Sequence, residues 1–229
     1  MKKKAWIIAL TLAVLGVVGY FLFGFVRGSC GENLRWTFNR FTGHLSIRGS
    51  GDMTADFEQA WCEIREDVRS VSLPDGLTSI GNGAFDFCRR LTSVTIPEGV
   101  RSIGDMAFKE CYALADLTLP KSLTSIGFAA FRYCTALRCV KIPESVRSIE
   151  AEAFSDCEFL TDLTLPEGLR SIGEEAFQHC HDLTDVTIPD SVTEIGEDAF
   201  SCCEFTVFGE AGSAAETYAR ENGIDFRAN

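Results

Sequence analysis

Between Val68 and Phe205 the apolar positions recur every 23 residues, and no insertion interrupts them. One unit, Leu91 to Ala113, reads LTSVTIPEGVRSIGDMAFKECYA. Val94, Thr95 and Ile96 alternate inward, outward, inward, which is the period of a strand, and Pro97 ends the strand because it has no ladder donor. Val100 and Ile103 provide a second apolar wall, and Ala107, Phe108 and Cys111 a third. Pro74, Pro97, Pro120, Pro143, Pro166 and Pro189 mark the period, and Phe85, Phe108, Phe131, Phe154, Phe177 and Phe200 keep step with them. A fixed period of about 20 to 50 residues means stacked supersecondary units, each unable to bury its apolar face alone. The pattern predicts a six-coil solenoid over 68–205, with the phenylalanines stacked along its length. Gly81, Gly104, Gly127, Gly173 and Gly196 form a column that predicts a corner with positive φ, and Glu150 breaks it.

The flanks depart from the period. Residues 1–4 place three lysines before an uncharged stretch, Ala5 to Val26. At about 1.5 Å per residue that stretch reaches about 33 Å as a helix, enough to cross a hydrocarbon core of about 30 Å. It is longer than the usual apolar region of a cleaved leader and ends in no small-residue cleavage site, which favours a transmembrane signal anchor over 5–26. The lysines put the N-terminus in the cytoplasm and the rest outside. Arg27 sits where a lipoprotein signal needs an aliphatic residue, so Cys30 is not read as a lipidation site. Over 27–67, LRWTF and HLSIRG flank a turn at Asn39 to Gly43 and predict a β-hairpin cap closed by Trp36, Phe38, Leu45, Ile47 and Trp61. Over 206–229, SAAETYARENG predicts a short helix capped by Ser213 and Gly223, with Ile224 to Phe226 as a closing strand.

The net charge of −12 argues against a nucleic-acid partner, since such proteins cluster Lys and Arg. Six of the ten cysteines (Cys88, Cys111, Cys134, Cys157, Cys180, Cys203) form a repeat column. Parallel side chains in one column keep Cβ atoms too far apart for bridges, which favours buried thiols over a disulfide ladder. Cys30 and Cys62 share the cap and could pair in an oxidising compartment, although free thiols are favoured. Cys139 falls at an outward strand position and is the thiol most exposed to reaction. His179 and His181 flank Cys180, but if Cys180 points inward they point away, so no metal site is expected. With His44 alone in the cap, the histidines offer no Ser-His-Asp or Cys-His arrangement, and neither enzymatic activity nor a cofactor is expected.

These units resemble the bacterial surface leucine-rich repeats of the BspA type, with the approximate pattern LxxIxLPxxLxxIxxxAFxxCxx. CGENLRWTF with LSIRGSGDM and GSAAETYARENGIDF resemble the modules that flank such arrays. The resemblance implies an extracellular, mostly β repeat solenoid that serves adhesion or protein binding and is not an enzyme.

What remains for function is the outward face of the strands. Ser93, Asp116, Cys139, Asp162 and Asp185 form one column and Thr95, Thr118, Lys141, Thr164 and Thr187 the next. Asp162 and Asp185 are expected side by side, an arrangement that destabilises a sheet. Arg138 and Lys141 interrupt the acidity in the middle coil. Asp116, Arg138, Lys141, Asp162 and Asp185 are the candidate partner-binding residues, and a basic extracellular protein segment is the expected ligand. The rival reading is a structural envelope or cell-wall element without a specific ligand.

Overall fold

The computed structural model describes residues 24–54 and 61–229. The N-terminal cap holds three strands, β1 (Phe25–Ser29), β2 (Leu34–Asn39) and β3 (His44–Asp52), joined antiparallel in the order β1-β2-β3. Phe25 and Val26, assigned by sequence to the membrane span, belong to β1, where Val26 lies opposite Phe38 and packs on the core. Residues 5–23 of the span lie outside the described residues, and among the described residues no helix is long and apolar enough to cross a membrane.

Each coil then contributes two short strands. These are β4 (Ser70–Ser72) and β5 (Gly76–Ile80), β6 (Ser93–Thr95) and β7 (Ser102–Ile103), β8 (Asp116–Thr118) and β9 (Ser125–Ile126), β10 (Cys139–Lys141) and β11 (Ser148–Ile149), β12 (Asp162–Thr164) and β13 (Ser171–Ile172), and β14 (Asp185–Thr187) and β15 (Glu194–Ile195). The C-terminal cap follows as β16 (Thr206–Gly209), α1 (Ala214–Asn222) and β17 (Asp225–Ala228). Ser213 caps α1 by accepting from the Glu216 amide, and Gly223 ends it at φ 67°.

The long strand β3 starts both walls of the solenoid. Its first half pairs in parallel with β4 and its second half with β5, and the pairing shifts register between Gly51 and Asp52. From β5 the second wall continues unbroken through β7, β9, β11, β13 and β15. A β-bulge is the ordinary way for one strand to turn a corner between two sheets.

The third wall is made of turns. Rings of the phenylalanine column stack at centroid separations of 5.0 to 5.4 Å. Trp61 continues the stack at one end and Phe205 and Tyr218 pack on it at the other. All six rings are buried, and one apolar cluster runs from Cys30 to Ala219. Two columns in this wall have positive φ without glycine: Met106, Ala129, Glu152, Glu175 and Asp198, and Phe87, Glu110, Tyr133, Asp156, His179 and Cys202. A side chain in that region is strained by about 1–2 kcal/mol. The strain is offset by main-chain bonds to the next coil, such as Met106 N–H to Phe128 O and Glu110 N–H to Arg132 O, both 2.8 Å.

The glycine column thus has another cause than the one its sequence position suggests, because none of its members has positive φ. A Cβ on Gly104, Gly127, Gly173 or Gly196 would come within 2.3 to 2.6 Å of an atom in the preceding coil. Glycine permits close stacking here, and the turn that needs positive φ lies two residues further on.

Candidate binding face

The outer surface of the first wall is built by strand alternation. In β6, β10, β12 and β14 the central residue is buried and its neighbours are exposed. Asp116, Asp162 and Asp185 are therefore exposed in one column, and Thr118 and Lys141 share the next. Lys141 lies opposite Thr164 and Cys139 opposite Asp162. Arg138 precedes β10, and its guanidinium lies over the ring of Phe159, 5.9 Å from the centroid, rather than on the strand columns.

This wall is divided, unlike the second. Ladders join β3 to β4, β6 to β8, β10 to β12, and β14 through β16 to β17, but none joins β4 to β6, β8 to β10 or β12 to β14. Asp162 and Asp185 stand on neighbouring coils on either side of the last of these divisions and line one groove, with no ladder between their strands. Like charges opposed across a sheet weaken it, and here the sheet is interrupted where they would meet. A groove of about 520 Å³ occupies that division, with Asp162, Glu167 and Asp185 on its rim and Thr164 and Thr187 between them. None of these three carboxylates has a cation within ion-pair distance among the described residues. Glu167 escaped the sequence reading because it follows Pro166, outside the alternating strand columns.

Cys139 is exposed, but its thiol is less acidic than an ordinary cysteine. Partial burial raises its pKa, and the charge and hydrogen bond of Asp162 raise it further. The column cysteines are buried from Cys88 to Cys180 and half-buried at Cys203. Each thiol from Cys111 onwards donates to a phenylalanine carbonyl of the preceding coil, Cys111 to Phe85 at 3.2 Å and Cys157 to Phe131 at 3.4 Å among them. Burial pushes their pKa values up, that of Cys203 to about 11. Cys30 is buried and Cys62 exposed, and the two are not bonded to each other.

His44 is not isolated. Its Nδ1 is hydrogen-bonded to Ser70 Oγ at 2.8 Å and its Nε2 to Ser72 Oγ at 3.1 Å, which fixes the cap onto the first coil. His179 and His181 have ring centroids 5.4 Å apart on either side of buried Cys180, and His181 Nδ1 is bonded to the Cys202 carbonyl. Among the described residues no three His, Cys, Asp or Glu side chains are grouped to hold a metal ion.

Stacked 23-residue coils, an aromatic spine and an exposed strand face define a leucine-rich-repeat solenoid. The model of the BspA type leucine rich repeat region matches in 6 copies over residues 60–163 and 148–209, and the chain belongs to that family. A leucine rich cell surface protein from Faecalibacterium prausnitzii is 30% identical with a TM-score of 0.62. That match covers 80% of this chain and 54% of the other, so this chain spans about half the length of that relative. A leucine-rich repeat protein from Bacteroides ovatus shares the fold at 19% identity and a TM-score of 0.56, over 86% of this chain and 66% of that one. The leucine rich repeat protein of T. pallidum does so at 24% identity and a TM-score of 0.54, over 84% and 94%. A search of curated proteins found no match.

Proposed function

We propose that this chain is a non-enzymatic scaffold at the bacterial surface that binds a basic segment of an extracellular protein through its strand face. The observation that carries the reading is the acidic groove between β12 and β14, where Asp162, Glu167 and Asp185 have no cation partner among the described residues. A lysine or arginine side chain entering the groove would find more than one carboxylate to pair with. Asp116 extends the acidic column towards the N-terminus, with Lys141 between the two acidic stretches as a mark of register. A single exposed charge pair contributes only about 0 to 1 kcal/mol, so affinity needs several acting together. The cell-surface description of the Faecalibacterium relative supports the location. The apolar stretch that precedes β1, read as a membrane anchor, would hold the solenoid outside the cell.

The test is a titration of the chain with a lysine-rich peptide over a range of salt concentrations. Binding that weakens with salt and with the change of Asp116, Asp162 and Asp185 to Asn supports the reading. Indifference to both would leave the solenoid as an envelope element without a ligand on this face.

A further inference from the structure

The seam between the third coil (Leu114 to Ala136) and the fourth (Leu137 to Phe159) differs from the others. In the second wall the column glycine donates its amide to an isoleucine of the preceding coil. Gly104 donates to Ile80, Gly127 to Ile103, Gly173 to Ile149 and Gly196 to Ile172, at 2.8 to 2.9 Å. Three residues earlier Arg101 donates to Thr78, Thr124 to Arg101, Arg170 to Arg147 and Thr193 to Arg170, at the same distances. Among the described residues the corresponding bonds from Glu150 to Ile126 and from Arg147 to Thr124 are missing. The pairing of β9 with β11 is reduced to Ile126 opposite Ile149, and on the strand face β8 and β10 have no ladder. The turn wall of the same seam is closed: Ala129 donates to Ala151, Phe131 to Ala153 and Tyr133 to Ser155, at 2.8 to 3.0 Å, and Arg132 is ion-paired with Glu152 and Asp156.

In the second wall one side chain accounts for the difference; on the strand face the ladder is also missing between β12 and β14, where the column residue is Gly196. The four column glycines have no room for a Cβ. Glu150 places one at that corner, and in the shared register it faces Gly127 and Phe128. The coils are held together at the phenylalanine wall and, in the second wall, by the pairing of Ile126 with Ile149 and by Ser145, whose hydroxyl lies within reach of the Lys121 and Leu123 carbonyls, while main-chain bonds are lost on both of the other walls. Leu117 and Leu119 are only half-buried, as are Val71 and Leu73 in the first coil, whereas Val94, Ile96, Val140, Ile142, Leu163, Leu165, Val186 and Ile188 are buried. A groove of about 410 Å³ lies above them, floored by Leu117, Leu119 and Pro143 and rimmed by Lys121, Lys141 and Glu144. In a chain of net charge −12, neither lysine has an acid within ion-pair distance among the described residues.

We propose that Glu150 wedges this seam open, and that the groove so formed takes a leucine-sized side chain from an extended acidic segment of a partner protein. The apolar floor supplies burial for that side chain. Lys121 and Lys141 pair with carboxylates on either side of it, and their excess over Glu144 makes this groove opposite in sign to the one between β12 and β14. Glu150 acts as a positioning residue and does not touch the ligand. The inference rests on the strand face as a binding surface and not on the basic partner proposed above.

The experiment is fluorescence anisotropy on the full chain in mild detergent. The probe is a nine-residue peptide with blocked ends and Glu-Leu-Glu at its centre. Replacing its core by Gln-Leu-Gln or Glu-Ser-Glu is expected to weaken binding about tenfold, as is the double change Lys121→Gln with Lys141→Gln. Glu150→Gly is expected to close the seam, raising Tm and weakening the peptide about fivefold, while Glu150→Ala, which keeps the Cβ, leaves affinity within about twofold. Asp162→Asn with Asp185→Asn leaves this peptide's affinity unchanged, which separates the present groove from the acidic one. Absence of binding, equal binding of the Gln-Leu-Gln peptide, or a Glu150→Gly variant with unaltered affinity would each overturn the proposal.

Discussion

The main-chain amide of Phe200 donates to the hydroxyl of Tyr218 at 3.0 Å. In the coils before it, the phenylalanine amide donates to an alanine carbonyl of the following coil, as Phe177 does to Ala199 at 2.7 Å. Tyr218 thus supplies the acceptor that a seventh coil would have supplied. At the other end Trp61 Nε1 donates to the Ala84 carbonyl at 2.8 Å. Both ends of the aromatic spine are closed by a polar atom on an aromatic ring, a use to which Tyr and Trp are suited because they stack and hydrogen-bond at once.

Tyr218→Phe keeps the ring and removes the acceptor. A buried amide left unpaired costs about 1–3 kcal/mol. The unfolding midpoint should fall, and hydrogen exchange should speed at the Phe200 amide while that of Phe108 stays protected. An unchanged Phe200 exchange rate would show that the cap does not hold this bond.

Phe131→Ala, in the middle of the spine, should cost about 3–5 kcal/mol in chemical denaturation. Phe200→Ala should cost less, because an end coil can open without its neighbours. Equal costs would mean that coils do not behave as nearest-neighbour units.

Thiol labelling at pH 8 separates exposed from buried cysteines. Cys62, Cys139 and Cys202 are exposed and should react in the folded chain, while the buried column reacts only after denaturation. Cys139 should react more slowly than a free cysteine thiol, because its raised pKa leaves less thiolate. Asp162→Asn removes one of the causes and should speed it up.

Asp86 tests the turn wall near the first coil. Burial pushes its carboxyl up to about 6, against the opposing charges of Lys109 and Arg65 and with some help from Glu110. Its folded pKa lies above its unfolded one, so the folded chain binds more protons, and this residue's contribution to stability falls as pH rises from about 4 through about 6. Asp86→Asn should therefore gain stability relative to the parent at pH 7.5 and little at pH 4. Thermal unfolding of both proteins at the two pH values measures the difference.

On the strand face, Asp116, Asp162 and Asp185 changed together to Asn should weaken a lysine-rich peptide several-fold and flatten its salt dependence. The matched control is Glu174, Glu175 and Glu197 changed to Gln, which lie on an outer turn. Glu152 is unsuitable for that control, since its ion pair with Arg132 joins two coils. The Asn variant should be no less stable than the parent, because it removes like charge from both sides of the divided wall.

The repeat made most of the architecture readable from sequence. Val94, Ile96, Val100, Ile103 and Phe108 each recur at the same place, and burial follows them except at Val71, Leu73, Leu117, Leu119 and Ile195, which are half-buried. Three things were not readable, each for a physical reason. Phe25 and Val26 are apolar whether they end a helix or begin β1, so periodicity could not decide between them. The glycine column carries information about the distance to the next coil, whereas a lone sequence position suggests only local φ. The two grooves come from missing bonds between coils, and Glu150 or the Asp162 and Asp185 pair announce a departure without stating which contacts are lost.

Because every ring in the spine stacks on its neighbour at nearly one spacing, the interface between any two adjacent coils is almost interchangeable with any other. A duplication or loss of 23 codons keeps the reading frame and joins surfaces that already fit, so unequal recombination can lengthen or shorten this array without inventing a new contact. The seam at Glu150 is an exception with heritable consequences. Copying the fourth coil would copy its wedge and its lysine, and a lineage could thereby change the number of grooves it displays in a single genetic step.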